Sequence, residues 1–403
     1  MRVNFLSKIM KKIKQIFGQI HLWLGLVSGI VVVVVSFTGC LYVFEEEARN
    51  VFQAQYFYVE NPQGVRRNLY EISATVTKHF PKETIAQIRF KAAPNAAYLY
   101  HTKSKKAISI NPYTLQILGV RDLETDFFNF ILDIHLNLKM GEVGEQIVKW
   151  NVLIFFVLCV SGFVIWLPKQ KKFLKQALTI KWNARSWKRL NWDLHSVLGF
   201  YALAVLLIVS LTGIFWVFDS AKWLVSKAVG EEITDTKAPP APDGGAVRKA
   251  PPSGAGGAGL GAAYYLAKQR HSGETQTFIS NPDKADQPVR VLFRYPYSIV
   301  RKQNTLFFDK NTGKLLREDL YKNYNAYDKV MRSNYDFHTG RIPVLGIGLK
   351  IIYFLASLFA ASLPITGALI WWNKRKVNKK IPQKHNYQAN GKPAALTSSN
   401  ASA

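Results

Sequence analysis

Ile20–Phe44, IHLWLGLVSGIVVVVVSFTGCLYVF, and Leu194–Phe218, LHSVLGFYALAVLLIVSLTGIFWVF, are one stretch written twice. Laid end to end, His21 falls on His195, Gly25 on Gly199, Ser36 on Ser210, Thr38 on Thr212, Gly39 on Gly213 and Phe44 on Phe218. Each copy is an apolar run of about 23 residues, and about 20 suffice to carry a helix across a bilayer. Each opens with a histidine at its polar edge and a glycine four residues on, on the same helical face. A His-bearing membrane helix that recurs implies that the rest of the chain recurs around it.

Working outward, two more apolar runs stand at 148–167 and 349–372, so four spans are expected. The segment after the first span reads as a helix from Leu69 to Phe80, ended by Pro81. Alternating runs follow at Ile85–Phe90, Ala97–His101 and Ala107–Ile110, the pattern of a small antiparallel sheet. The same order returns after the third span, with a helix at Ala263–Arg270 and strands at Thr275–Ser280, Val289–Tyr295 and Thr305–Asp309. ISINPYTLQIL (108–118) aligns with LFFDKNTGKLL (306–316), His135 with His338, and Ser161-Gly162 with Thr366-Gly367.

The expected fold is an α-helical membrane protein of four transmembrane helices in two parallel repeats, related by an axis along the membrane normal. An α+β unit lies between helices 1 and 2 and another between helices 3 and 4. The boundaries read as a basic leader over 1–16, spans at 17–44, 147–167, 193–218 and 344–372, outer units at 45–146 and 219–343, a basic loop at 168–192 and a disordered basic tail at 373–403. Residues 237–262, rich in Pro, Gly and Ala, read as a flexible insertion with no prospect of a core.

A net charge of +27 could suggest nucleic acid, but its distribution argues against that. Segments 1–20, 168–192 and 373–403 carry five, eight and seven basic residues and no acid. All three fall on one side of a four-span topology, which the positive-inside rule makes cytoplasmic. No nucleic-acid module is visible. The bilayer is the expected partner, in a bacterial inner membrane with both termini cytoplasmic. Cys40 and Cys159 both lie in spans, and neither a disulfide nor a Cys-x-x-Cys site is expected. The leader resembles a signal peptide, but the Thr-Gly pair at 38–39 recurs at 212–213, so cleavage there is not expected.

Four of the eight histidines sit at helix edges, His21 and His195 at the inner edge, His135 and His338 near the outer edge. Repeat-related histidines on opposite sides of an axis can address one flat, centrally bound metal, and neutral imidazole is a good axial ligand for haem iron. Gly25, Gly29 and Gly199, and Gly340 beside His338, would leave room for a porphyrin. A proton relay would want intramembrane carboxylates, and zinc would want further ligands near in sequence. His79 and His101 read as surface residues, and His271 and His385 carry no role. The four [ST]-G pairs are accounted for by small-residue helix packing. Arg294, Arg301 and Arg341 read as solvated charges.

DLHSVLGF (193–200), IHLWLGLVSG (20–29), HLNLKMGEVGEQIV (135–148), DFHTG (336–340) and TGALIWW (366–372) together resemble the PepSY-associated transmembrane family, over nearly the whole chain. That family includes inner-membrane ferric-siderophore reductases. The resemblance implies PepSY-like periplasmic units and b-type haem, two per chain, with His21, His135, His195 and His338 as the axial ligands. It implies electrons passed outward to a ferric siderophore or other Fe(III) chelate, an oxidoreductase activity. No G-x-G-x-x-G follows a strand, so the electron donor is expected to be a separate flavoprotein or a quinol. The competing expectation is a PepSY-type ligand-binding or regulatory membrane protein without redox activity.

Overall fold

The computed structural model describes residues 2–231, 258–282 and 287–379. Among the described residues, four helices are long and apolar enough to cross a membrane. The first, Arg2–Tyr42, runs unbroken through the basic leader, because nothing in residues 2–19 breaks a helix. The second is Gly141–Trp166. The third runs over Trp187–Val217 and starts inside the loop expected at 168–192. The fourth, Gly346–Lys379, carries its last turns into the basic tail. Residues 380–403, and with them His385, lie outside the described residues.

The first helix packs against the second and the fourth, and the third packs against the same two. The first and third are therefore diagonal in the bundle. Close approach is set by small groups, as where an added Cβ at Gly29 would lie 3.3 Å from Pro364 Cβ.

Eight strands make one antiparallel sheet: β1 (Ile85–Lys91), β2 (Tyr98–Thr102), β3 (Lys106–Ile110), β4 (Ile117–Asp122), β5 (Gln276–Ser280), β6 (Val289–Arg294), β7 (Gln303–Phe308) and β8 (Leu315–Asp319). Their order is β4-β3-β2-β1-β5-β6-β7-β8. The two small sheets expected from sequence are thus one sheet, joined where β1 pairs β5 in the register Ile88↔Ile279 and Phe90↔Thr277. Alternation along each strand cannot reveal which edges meet, so this join was invisible in sequence. β4 and β8, the edge strands, were also missed, because they are short and only half-buried.

Helices Leu69–His79 and Ala258–Arg270 cover one face of the sheet. Their apolar side chains close a core with Ile88, Tyr100, Ile108, Ile279, Val291 and Leu306, all fully buried. The second of these helices begins within the stretch expected to be a flexible insertion, so 258–262 is helical. The rest of that stretch, 237–257, lies outside the described residues. The opposite face of the sheet carries charge and meets the end of the bundle. Lys91 pairs with Glu46, Arg341 reaches Glu45 and the carbonyl of Tyr42, and Lys350 pairs with Glu47.

Candidate functional site: two histidine pairs in the bundle

The bundle brings the four singled-out histidines together in two pairs. At the end away from the sheet, the rings of His21 and His195 have centroids 6.3 Å apart and planes at 86°. At the sheet end, His135 and His338 are also 6.3 Å apart, with planes at 73°. His135 lies near the end of the short helix Phe127–Asn137, which stops because Leu138 and Lys139 turn left-handed at φ 55° and 61°. His338 ends the helix Ala326–Thr339, capped by Gly340 at φ 68°. That glycine serves the turn and not a ligand: Tyr353 packs where its Cβ would be. His195 sits in a widened, π-type turn, Leu194–Leu198, inserted in the third helix. Such turns re-aim a side chain without ending the helix and cluster at functional positions.

All four rings are held in the same way. Nδ1 of His21 lies 2.9 Å from Ser161 Oγ, and that of His195 lies 2.8 Å from Thr366 Oγ1. Nδ1 of His135 lies 3.2 Å from Thr38 Oγ1, and that of His338 lies 2.9 Å from Thr212 Oγ1. Each of these hydroxyls already donates its proton to a carbonyl of its own helix: Ser161 to Leu158, Thr38 to Val34, Thr212 to Ile208 and Thr366 to Ser362. The hydroxyl can then only accept, so the ring must donate from Nδ1. His135 also reaches the carbonyl of Val35 at 3.0 Å, an acceptor alone. The network therefore assigns the Nδ1–H tautomer to every ring, and Nε2 keeps its lone pair.

The glycine after each hydroxyl completes the cradle. A Cβ at Gly39 would stand 3.2 Å from Cε1 of His135, one at Gly162 3.2 Å from that of His21, one at Gly367 3.2 Å from that of His195, and one at Gly213 3.7 Å from that of His338. Helix packing alone does not account for the [ST]-G pairs, as the sequence reading had it; each pair seats a histidine from another helix. Buried asparagines brace two of them, Asn191 donating to the carbonyl of Thr366 and Asn334 to that of Thr212, both at 3.0 Å. Only the spatial pairing could show this, since each hydroxyl lies at least 97 residues from its histidine.

The spacing fits a metal ion between the rings. A metal–imidazole bond is about 2 Å. A five-membered ring with bonds of about 1.35 Å places its atoms about 1.1 Å from its centre. Two such rings on one ion have centroids a little over 6 Å apart, as in both pairs. Among the described residues, no three His, Cys, Asp or Glu side chains gather around a common point. Each pair could offer two imidazoles to a group that brings further donors of its own, as a porphyrin does.

The His21–His195 pair lines a cavity of 980 Å³. Gly25 and Gly199 lie on its wall, with Trp166 and Trp371, and Lys14, Arg189 and Lys374 stand among its lining residues. Its volume is at the upper end of ordinary ligand pockets, and Arg189 is paired there with Asp193, which also lines it. At the other level, Trp216 lies 4.9 Å from the His338 ring. The first helix carries His21 at one level and, 18 positions later, Gly39 at the other. At 1.5 Å per residue the levels are about 27 Å apart.

Between bundle and sheet lies a charged layer, in which two of the three arginines read from sequence as solvated charges, Arg301 and Arg341, take part. Arg49 bridges Asp126, with one bond of 2.7 Å, and Asp126 also caps the His135 helix by accepting from Asn129 N–H at 3.1 Å. Burial pushes the Asp126 carboxyl up, but the bonds from Arg49 and Asn129 outweigh it and hold the group below the usual range. Arg301 bonds Asp336 at 2.9 Å, two residues before His338. Arg301 and Arg341 are thus tied ligands of carboxylates, not free charges, and Arg294 bonds Gln276. His101 is not a surface residue either. Its Nε2 is buried without a partner among the described residues, and burial together with Arg89, Arg121 and Arg49 lowers its pKa to about 3. His271 lies 3.7 Å from Glu318. His79 is exposed and bonds Thr75 O.

The family described as the PepSY-associated TM region matches residues 19–374. No curated protein matches the chain.

Proposed function

The chain belongs to the PepSY-associated TM family, and we propose that it is a membrane electron-transfer protein built as two parallel repeats, holding one b-type haem at each histidine level. One observation carries this reading. Both pairs have the 6.3 Å centroid separation of two imidazoles on one ion, and every ring is fixed with Nε2 unprotonated. Support for the repeats comes from the order of the sheet, which runs outward from β1 and β5 in the same sequence on each side. It comes also from the cradles, where the first helix's histidine uses the second helix and the third's uses the fourth.

Bound there, each haem would supply reversible one-electron storage at its iron. The protein's own groups do the rest. His21 and His195 would hold one group, His135 and His338 the other. Ser161, Thr366, Thr38 and Thr212 fix the tautomer and ring plane, which also raises imidazole basicity. With the three basic segments cytoplasmic and the sheet periplasmic, in a bacterial inner membrane, the pairs span the bilayer as two stations. The acceptor in this reading is a ferric siderophore or other Fe(III) chelate. One electron converts the iron to Fe(II), which such oxygen-rich chelators hold far less strongly. The donor is a separate flavoprotein or a membrane quinol.

The test is the absorption spectrum of detergent-purified protein from haem-supplied cells, oxidised and dithionite-reduced, with a pyridine haemochrome count. Two low-spin b-haems per chain are expected. A colourless protein would overturn the reading and favour the alternative, a PepSY-type ligand-binding or regulatory membrane protein, for which the 510 Å³ cavity lined by Phe90, Tyr98 and Tyr264 is the specific observation.

A further inference from the structure

The side of the sheet that faces the bundle is covered on its flanks and open at its middle. On β2, β3 and β7 its residues Leu99, Ala107, Thr305 and Phe307 are buried. Between those flanks, at the seam, the register sets Arg89 opposite Phe278 and puts Gln87, Ser280 and Arg290 in one row across β1, β5 and β6. All five keep exposed surface, so the seam forms a trough open to water.

Two guanidiniums in this trough lack a counter-charge. Arg89 has no hydrogen bond or ion pair among the described residues. The carboxylates that act on it from a distance are committed elsewhere, Glu45 to Arg49 and Arg341, and Glu46 to Lys91. Loss of hydration, the largest influence, lowers its pKa. Arg290 has no acid beside it either. It reaches only Ser280 Oγ, at 3.4 Å, and loss of hydration and the like charge of Arg332 lower its pKa. Ser280 Oγ also accepts from Gln87 Nε2 at 3.1 Å, so both its lone pairs are taken and its proton remains to donate.

These donors stand close together. To reach Ser280, Arg290 leans over β5, which lies one strand spacing, about 4.8 Å, from β1. Arg89 follows two residues after Gln87, the register partner of Ser280. A partly desolvated charge is stabilised by pairing, and a guanidinium fork matches a carboxylate with two parallel hydrogen bonds. Two separate forks call for two carboxylates on one molecule.

We propose that the trough binds a small polycarboxylate, one carboxylate on Arg89 and another on Arg290 and Ser280. The site needs no haem, so it stands or falls separately from the electron-transfer reading. A polycarboxylate can arrive free or wrapped around a metal ion, and the test separates the two.

The experiment is isothermal titration of the full-length protein in non-ionic detergent with citrate, acetate, inorganic phosphate and Fe(III)–citrate. Citrate is expected to bind at least about tenfold tighter than acetate or phosphate, because it engages both forks. Arg89→Gln and Arg290→Gln each weaken citrate about tenfold. Without any anion, the Tm of Arg89→Gln is unchanged or raised, since an unpaired cation adds nothing to the fold. Citrate raises the Tm of the native chain and not that of the variant. Fe(III)–citrate binding as tightly as citrate supports the site as one for a metal chelate; citrate binding alone supports it as one for the free acid. Citrate binding no tighter than acetate or phosphate, or binding untouched by both arginine variants, would overturn the proposal. A lower Tm of Arg89→Gln without anion would overturn it too, by showing that the guanidinium has its partner within the fold.

Discussion

Thr366 Oγ1 stands 2.8 Å from Nδ1 of His195 while donating its own proton to the carbonyl of Ser362, so the histidine has no choice but to present Nε2 unprotonated. The same logic holds at Ser161, Thr38 and Thr212. A hydroxyl that has spent its proton within its helix is an obligate acceptor, and it fixes a tautomer across the bundle.

Thr366→Val therefore keeps the volume and removes the acceptor. The expected result is about 10–100-fold weaker haem retention at the His21–His195 level, the usual cost of losing an outer-shell partner. Thr366→Ser restores it. Haem content by pyridine haemochrome, with redox titration of the two levels, checks this. Unchanged content and potential in the Val variant would show that the hydroxyl only packs.

Gly39 and Gly367 each leave a Cβ position 3.2 Å from a histidine Cε1. Alanine there asks the ring to shift by a few tenths of an ångström; valine or leucine cannot be accommodated beside it. Gly39→Leu is expected to abolish haem at the His135–His338 level alone, and Gly367→Leu at the other level alone. Low-temperature spectra that resolve the two haems would show one band lost in each variant.

Arg49→Met removes one partner of a buried ion pair and leaves Asp126, the cap of the His135 helix, with only Asn129 N–H and the more distant Arg121, 3.7 Å away. Breaking such a pair costs about 3–5 kcal/mol. Asp126's folded pKa lies below its unfolded value, so its stabilisation is present above the unfolded carboxylate pKa and is lost as pH falls through the folded one. Thermal unfolding should show a large drop in Tm for Arg49→Met at neutral pH, shrinking as the solution is acidified.

His101 adds a second acid-side term to the pH dependence of the outer unit, beginning at higher pH. Burial first, then Arg89, Arg121 and Arg49, depress its pKa to about 3. The unfolded chain takes up this proton near pH 6.5 and the folded chain does not. Stability is therefore complete above about pH 6.5 and declines as pH falls toward 3, by at most about 1.4 kcal/mol per pH unit. His101→Gln, which cannot take the proton, should flatten the stability profile between pH 6.5 and 4. An unaltered slope would place the acid sensitivity elsewhere.

The sequence by itself determined the four spans, since an apolar run of about 20 residues has few other uses. It determined the α+β character of the segments between them, and it singled out His21, His135, His195 and His338 by their place in a repeated pattern. Only the tertiary structure decided what lies across a gap in sequence. The join of β1 to β5 depends on which strand edges meet, and alternation encodes faces, not neighbours. The [ST]-G pairs looked like packing because their partners are histidines on other helices. His101, Arg301 and Arg341 looked like surface residues because burial of a polar group depends on what the fold sets over it.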